Sequence, residues 1–99
     1  MQRIANLLAV KDGQVLLLQK PRRGWYVAPG GKMEIGESIY EAALREFHEE
    51  TNVTAHNAFL KGVFTMIIKS GEEIVDEWML YTFMSRDIEG EPYVETREG

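Results

Sequence analysis

The chain has 99 residues and a mass of 11.4 kDa, enough for one small domain with a modest core. Its 16 acidic and 11 basic side chains give a formal net charge of −5, which disfavours stable binding to a nucleic-acid backbone. The absence of cysteine excludes disulfides, cysteine-ligated zinc and a thiol nucleophile. The longest uninterrupted apolar run is four residues, and no basic segment precedes a long apolar one. We therefore expect a cytoplasmic protein that does not associate with membranes.

The first part of the chain predicts three strands. Residues 3–10 are rich in aliphatic side chains, and Asp12-Gly13 predicts a hairpin turn into a second, more buried strand at 15–18. Residues 25–27 predict a short extended segment, which a turn at Pro29-Gly30-Gly31 ends.

A helix is predicted to begin at Ile39 and to stop near Asn52. Ser38 and Glu41 have the serine-x-x-glutamate spacing of a capping box. Asparagine tolerates the left-handed conformation that often ends a helix, so Asn52 suits the last position. The sequence therefore predicts where the helix begins and where it ends.

The rest of the chain predicts extended structure. Residues 58–69 and 74–86 have the composition of two hairpin arms around a turn at 70–73, and a further turn is expected at 89–92. Strands, one helix and a long hairpin in this order predict an α+β fold, in which a mixed β-sheet carries the helix on one face.

The predicted helix carries three glutamates on one side. At 100° per residue, Glu46, Glu49 and Glu50 fall within an arc of about 100°. Like charges at this spacing repel, so such a face is either fully solvated or neutralised by a cation. Solvated surface is the commoner outcome for a glutamate-rich helix, but three carboxylates suit a hard ion such as Mg²⁺. Arg45 is either a surface ion pair or a group that holds a carboxylate in a fixed orientation.

Together, the glycine pair and the helix resemble the Nudix box, Gly-x5-Glu-x7-Arg-Glu-U-x-Glu-Glu-x-Gly-U, where U is a bulky apolar residue. The residues that carry the resemblance are Gly31, Glu37, Arg45, Glu46, Glu49 and Glu50. The match spans 23 of 99 residues with every charged position in place. Asn52 stands where the family has glycine, and Phe47 occupies an aliphatic position. Segments 29–37 and 89–92 are similar to those of MutT-type members.

The resemblance implies a Nudix α/β/α sandwich formed by a single domain over residues 1–99. It implies Mg²⁺-dependent hydrolysis, with Mn²⁺ as a substitute, of a nucleoside triphosphate or an oxidised purine such as 8-oxo-dGTP to the monophosphate and pyrophosphate. The implied metal ligands are the carbonyl of Gly30 and the side chains of Glu46, Glu49 and Glu50. Arg45 would orient Glu46 as part of the catalytic group. The residues with a supporting role at the loop–helix junction would be Gly31 and Glu37.

The sequence does not decide which residue is the general base or which residues contact the substrate. In some family members the base is the glutamate that matches Glu46, and MutT-type members use one on a loop after the last strand. Here that loop offers Glu95 and Glu98, of which Glu98 fits the subgroup pattern slightly better. The basic side chains that either hold the triphosphate or are solvated are Lys20, Arg22 and Arg23. The aromatic residues that either stack on a base or fill the core are Trp25, Tyr26, Trp78 and Phe83.

Three alternatives remain. The substrate could be ADP-ribose or a dinucleoside polyphosphate, but Ile67-Ile68-Lys69 replaces the proline typical of ADP-ribose enzymes, and the nearest downstream tyrosine is Tyr81. A non-catalytic nucleotide sensor of the same family would typically have lost box carboxylates. An interaction module with an acidic helix face explains the charge but not the glycine spacing.

The expected partner is a small nucleotide substrate, and a homodimer is an alternative to a monomer. The family's domains carry a second helix on the other face of the sheet, whereas this sequence predicts one helix. We therefore expect the chain to lack the C-terminal strand and helix of the domain, or a partner to cover the bare face.

Overall fold

The computed structural model describes residues 2–19 and 24–92, and within these ranges the chain forms nine strands and one helix. The elements are β1 Gln2–Lys11, β2 Gln14–Leu16, β3 Leu18–Gln19, β4 Tyr26–Val27, β5 Gly30–Lys32, α1 Ile39–Thr51, β6 Thr54–His56, β7 Phe59–Ser70, β8 Glu73–Ser85 and β9 Asp87–Glu89.

The main sheet has five strands and is mixed. Its strand order is β2-β1-β8-β7, and β5 also pairs with β1. β1 runs parallel to β8, with Leu7 opposite Phe83, whereas the β1–β2, β1–β5 and β7–β8 pairs are antiparallel. The prediction of a mixed sheet with one helix on a face is confirmed.

The helix begins and ends where the sequence predicts. The Ser38 side chain accepts a hydrogen bond from the Glu41 amide at 3.1 Å, and the Glu41 side chain accepts one from the Ser38 amide at 2.8 Å. Asn52 closes the helix in the left-handed region at φ 67°. The buried face of α1 packs on β1, where Ala5, Leu7 and Ala9 form the facing core; its buried residues are Ala42, Ala43, Phe47 and Thr51.

Both predicted hairpins are confirmed. Asp12 and Gly13 both have positive φ, at 53° and 75°, which fits the tight turn that joins β1 to β2. The long β7–β8 hairpin turns at Gly71 and Glu72.

Two predictions about the sheet are wrong. The segment at 15–18 is not a more buried strand, because it divides into β2 and β3. Val15 of the edge strand β2 is 47% exposed, and Leu17, which lies between the two strands, is 40% exposed. Gly30 and Gly31 do not end a strand in a turn but form β5, paired with Asn6 and Ala5 of β1. The pairing of β6 with β9 was also missed.

The face of the sheet opposite α1 carries many apolar side chains. Alternation along β1 points Ile4, Asn6 and Leu8 to this open face, because Ala5 and Leu7 lie under the helix. Large apolar residues of the β7–β8 hairpin are also exposed, Phe64 by 55% among them. Within residues 2–19 and 24–92, α1 is the only helix, and no helix is long and apolar enough to span a membrane. That a further segment or a partner covers the open face stays a prediction.

Candidate active site

The candidate site is built at the free edge of β5. Hydrogen bonds from the Leu7 amide to the Pro29 carbonyl (3.0 Å) and from the Met33 amide to the Arg3 carbonyl (3.1 Å) define the ladder to β1. In an antiparallel pair, every second residue of a strand forms backbone hydrogen bonds with the neighbouring strand. Pro29 and Met33 bond to β1 in this way, so the carbonyls of Gly30 and Lys32 point away from β1. The Lys32 carbonyl accepts a hydrogen bond from Arg45 Nη2 at 3.1 Å, on that outward side.

Gly31 is a glycine because the Glu46 carboxylate lies against it. A β-carbon at position 31 would lie 2.5 Å from Cδ and 2.6 Å from Oε2 of Glu46. Gly31 pairs with Ala5, whose side chain lies on the helix face of the sheet, so this contact joins β5 to α1. The spacing of the box thus brings its glycine and its first metal-ligand candidate together.

Arg45 is the centre of a network of carboxylates. Its Nε and Nη2 atoms donate to the two oxygens of Glu37 at 3.0 and 2.7 Å, a bidentate pair. Its Nη1 atom donates to Glu46 Oε1 at 2.9 Å and to Glu49 Oε2 at 3.3 Å. Glu34 Oε1 lies 3.6 Å from the same nitrogen. One guanidinium therefore holds four acidic side chains around the β5 edge.

The electrostatics of this network favour the charged forms. The hydrogen bonds from Arg45 lower the pKa of Glu37, and the Glu34 amide, which donates to Glu37 at 2.7 Å, adds to the effect. The pairing with Glu37 raises the pKa of Arg45 further above its ordinary value, against the opposing effect of burial. Glu37 thus links the loop at 34–37 to the helix while it stays ionised.

The donor chemistry fits a hard divalent cation. Arg45 engages one oxygen each of Glu46 and Glu49, and within the described part of the chain their other oxygens accept no hydrogen bond. Glu50 follows on the same helix and is half-buried. Across residues 2–19 and 24–92 no three acidic or histidine side chains are already gathered at metal-binding spacing. The arrangement is an ion-pair cluster in which Glu46 and Glu49 each have one oxygen that Arg45 does not contact, and the Gly30 carbonyl points to the free edge of β5. Carboxylate and carbonyl oxygens are the ligand types that Mg²⁺ prefers.

The structure brings Gly30, Gly31, Glu37, Arg45, Glu46 and Glu49 into one neighbourhood. The candidates Lys20, Arg22, Arg23, Glu95 and Glu98 lie outside the described residues. Trp25 and Tyr26 are exposed by 58% and 63%, whereas Phe83 is buried in the core. Trp78 is half-buried and donates to Asp76 Oδ2 at 2.6 Å.

Sequence reasoning missed Glu34 and the Lys32 carbonyl as contacts of Arg45. Glu34 lies three residues before Glu37 in the segment that resembles MutT-type members, which is the signal that could have identified it. The Lys32 contact depends on the orientation of the β5 backbone and has no side-chain signature.

The chain belongs to the Nudix family, because the family model of the NUDIX domain matches residues 1–98. The fold and the box resemblance agree with this assignment. It is 54% identical over 99 residues to an uncharacterised Nudix hydrolase, YvcI, of Bacillus subtilis strain 168, covering all of this chain and 63% of the relative. It also matches the crystal structure of a MutT protein from Bacillus halodurans, with a TM-score of 0.94 and 56% identity, over all of this chain and 65% of that one.

A third relative is an oxidized purine nucleoside triphosphate hydrolase of Danio rerio, 34% identical over 89 residues, which cover 87% of this chain and 55% of the relative. The chain thus spans just under two thirds of the length of its Bacillus relatives.

Proposed function

We propose that this protein hydrolyses a phosphoanhydride bond of a nucleoside triphosphate, with a divalent cation, and releases the nucleoside monophosphate and pyrophosphate. The single observation that carries the proposal is the Arg45-centred carboxylate network, seated against Gly31 at the free edge of β5. An acidic protein can bind a polyanion at such a place when a cation reverses the local charge.

The cation would be held by the carboxylates of Glu46, Glu49 and Glu50 together with the Gly30 carbonyl. Mg²⁺ is the proposed ion and Mn²⁺ the substitute, since both take oxygen ligands. When bound, such an ion neutralises phosphate charge and makes an attacking water more acidic. Arg45 positions Glu46 through the 2.9 Å hydrogen bond to Oε1, and Glu37 holds Arg45 in turn.

The reaction adds water across one P–O–P link. The water oxygen bonds to one phosphorus, the bridging P–O bond breaks, and a base accepts the proton that the water loses. Glu46 Oε2 accepts no hydrogen bond within the described ranges, so it is available for that role. Glu98, the other candidate for the base, lies outside those ranges.

An oxidised purine deoxynucleoside triphosphate is the proposed substrate. It is supported by the 34% identity to the zebrafish oxidized purine nucleoside triphosphate hydrolase and by the MutT-like segment at 29–37. The lack of the proline typical of ADP-ribose enzymes, at Ile67-Ile68-Lys69, points the same way.

Pyrophosphate release tests the proposal. The purified protein is incubated with Mg²⁺ and a panel of triphosphates that includes 8-oxo-dGTP. ADP-ribose and a dinucleoside polyphosphate are assayed in parallel by chromatography of their nucleotide products, because ADP-ribose hydrolysis releases no pyrophosphate. We expect a nucleoside triphosphate to be the best substrate, and Glu49→Gln and Glu50→Gln each to lower kcat roughly a hundredfold or more.

The matched control is Glu72→Gln, which removes an exposed glutamate at the β7–β8 turn and should leave kcat unchanged. Turnover of no nucleotide, or full activity in the Glu49 and Glu50 variants, would overturn the proposal. Preferred turnover of ADP-ribose would replace the proposed substrate but keep the hydrolase.

A further inference from the structure

The strand β7 forms one edge of the main sheet over its full length. The strand order ends at β7, which among the described residues pairs with β8 alone. Register shifts interrupt that pairing between Leu60 and Gly62 and between Ile68 and Lys69. The regular part of β7 is therefore residues 62–68. An exposed, regular strand edge presents N–H and C=O groups that can pair with a strand of another molecule.

The segment 62–68 lacks the features that usually protect a sheet edge. Native proteins protect such edges with charged side chains, prolines and bulges. Residues 62–68 contain neither a charged residue nor a proline, whereas Lys61 and Lys69 stand just outside them. The lysines and the register shifts therefore mark the two ends of the segment and leave the residues between them open to pairing.

The far half of the β7–β8 hairpin extends beyond the rest of the sheet. β1 begins at Gln2, opposite Trp78, so no third described strand borders residues 67–77. A two-stranded ribbon is marginally stable in water unless a further strand or a helix packs on it. Ile67 and Ile68 are both exposed, and as neighbours in a strand they lie on opposite faces. A layer on one face cannot cover both, whereas a strand added at the β7 edge contacts both faces.

The segment is self-complementary about Thr65, its middle residue. In an antiparallel pair of two β7 strands, a two-fold axis through Thr65 aligns the whole segment with its copy. Phe64 then lies opposite Met66 of the second copy on one face. Val63 lies opposite Ile67 of the second copy on the other face. Apolar side chains directly opposite one another stabilise a sheet, and so does a pair of threonines.

The size of this surface fits a dimer of moderate affinity. The apolar side chains of the segment are each 41–55% exposed, namely Val63, Phe64, Met66, Ile67 and Ile68. Together with the strand edge they amount to about 500 Å² per copy, so pairing buries about 1,000 Å² in total, the lower end of the range for specific interfaces. Because the pairing uses the β7 edge of both copies, it closes at two.

We propose that two copies of this chain form a homodimer by antiparallel pairing of their β7 edges about Thr65, which joins their two five-stranded sheets into one. The inference goes beyond the proposed hydrolysis and does not depend on it, because no residue of the segment 62–68 belongs to the candidate site. β8 and β1 separate β7 from β5, so both candidate sites stay accessible in the dimer.

Sedimentation equilibrium of the purified chain measures the association. We expect the average mass to rise from 11.4 kDa toward twice that value with increasing concentration, with a Kd of about 1–100 µM. Thr65→Arg places like charges opposite one another at the axis and should raise the Kd about tenfold or more. Thr65→Val keeps the β-branched shape without a charge and should leave the Kd within about threefold. Gln14→Arg is the matched control, because it adds the same charge to the other edge strand, β2, and should leave the Kd unchanged.

A single introduced cysteine locates the axis. The sequence contains no cysteine, so Thr65→Cys introduces the only thiol. Residues directly opposite in an antiparallel pair have Cα atoms about 4.5 or 5.5 Å apart, a separation that a disulfide spans. We expect Thr65→Cys to form a disulfide-linked dimer under mild oxidation. Gln14→Cys, at an exposed position of β2, should do so about tenfold more slowly or less.

Four outcomes would overturn the inference: a wild type that stays monomeric at about 500 µM, an unchanged Kd in Thr65→Arg, equal rates of crosslinking in the two cysteine variants, or association that continues beyond two copies. A monomeric wild type would leave the β7 edge to a different partner, and continued association would show that the apolar strands associate without specificity. Thermal melts check that each variant is folded, and the crosslinking of Thr65→Cys decides if Thr65→Arg does not fold.

Discussion

The Glu46 carboxylate occupies the space that a side chain at Gly31 would need, since a β-carbon there would lie 2.5 Å from Glu46 Cδ. The atoms in conflict are the far end of a flexible side chain and not the backbone. A larger residue at position 31 would therefore move Glu46 and leave the strand pairing in place.

Gly31→Ala is thus expected to impair activity much more than stability. Displacement of a reacting or positioning group by about 1 Å can cost roughly a hundredfold in rate, so we expect kcat to fall by about that factor. The free energy of unfolding should change by less than about 1 kcal/mol, because Glu46 can swing toward solvent. Steady-state pyrophosphate release and urea denaturation measure the two quantities.

Gly30→Ala is the matched comparison for this prediction. Its β-carbon would collide with the Ala5 carbonyl and would approach Asn6 Cβ to 2.6 Å, so the β1–β5 pairing itself must shift. We expect this variant to lose stability as well as activity. Equal destabilisation by the two alanines would contradict the distinction between side-chain and backbone contact.

The bidentate pair between Arg45 and Glu37 should carry measurable coupling energy. Both side chains are mostly shielded, at 23% and 15% exposure, and a planar guanidinium matches a carboxylate in a way that an ammonium group cannot. We expect Arg45→Lys and Glu37→Gln each to lower the free energy of unfolding, because each breaks the bidentate pair. A double-mutant cycle from denaturation curves should give a combined loss smaller than the sum of the two single losses, whereas additive effects would show the pair to be independent.

The pH dependence of stability follows from the same pair. Because the pKa of Glu37 is lowered below its ordinary value of 4.5, its contribution is fully present above pH 4.5 and is lost as the pH falls through the folded-state pKa. The wild type should therefore exceed Glu37→Gln in stability at pH 7 by more than at pH 3. Urea denaturation of both proteins across this range measures the gap, and a constant gap would refute the assignment.

The helix and its acidic face could be predicted from the sequence because their signals are local. The Ser38–Glu41 capping box and the left-handed tolerance of Asn52 act within a few residues, and both form as expected. The sequence left two roles open for Arg45, a surface ion pair or a group that orients a carboxylate. In the structure it donates hydrogen bonds to both Glu46 and Glu49.

The role of the glycine pair could not be predicted from local signals. Gly-Gly is typical of a turn, but here it allows the backbone of β5 to lie against β1, and Gly31 makes room for Glu46 fifteen residues later. Asn6 of β1 lies opposite Gly30 in this pairing, which no residue near it in the sequence indicates. The pairing of β5 with the distant strand β1 therefore determines the roles of Gly30 and Gly31, and local sequence signals do not predict it.

Binding of a divalent cation should stabilise the folded protein even without substrate. Glu46, Glu49 and Glu50 repel one another, and an ion that binds them only in the folded state stabilises by about 2.7 kcal/mol at a concentration a hundredfold above its Kd. We expect Mn²⁺ or Mg²⁺ to raise the Tm of the wild type and a chelator to reverse the rise. The Glu49→Gln, Glu50→Gln double variant should lose most of this shift, whereas Glu72→Gln should keep it. An equal rise in Tm for all three proteins would show that the ion binds elsewhere.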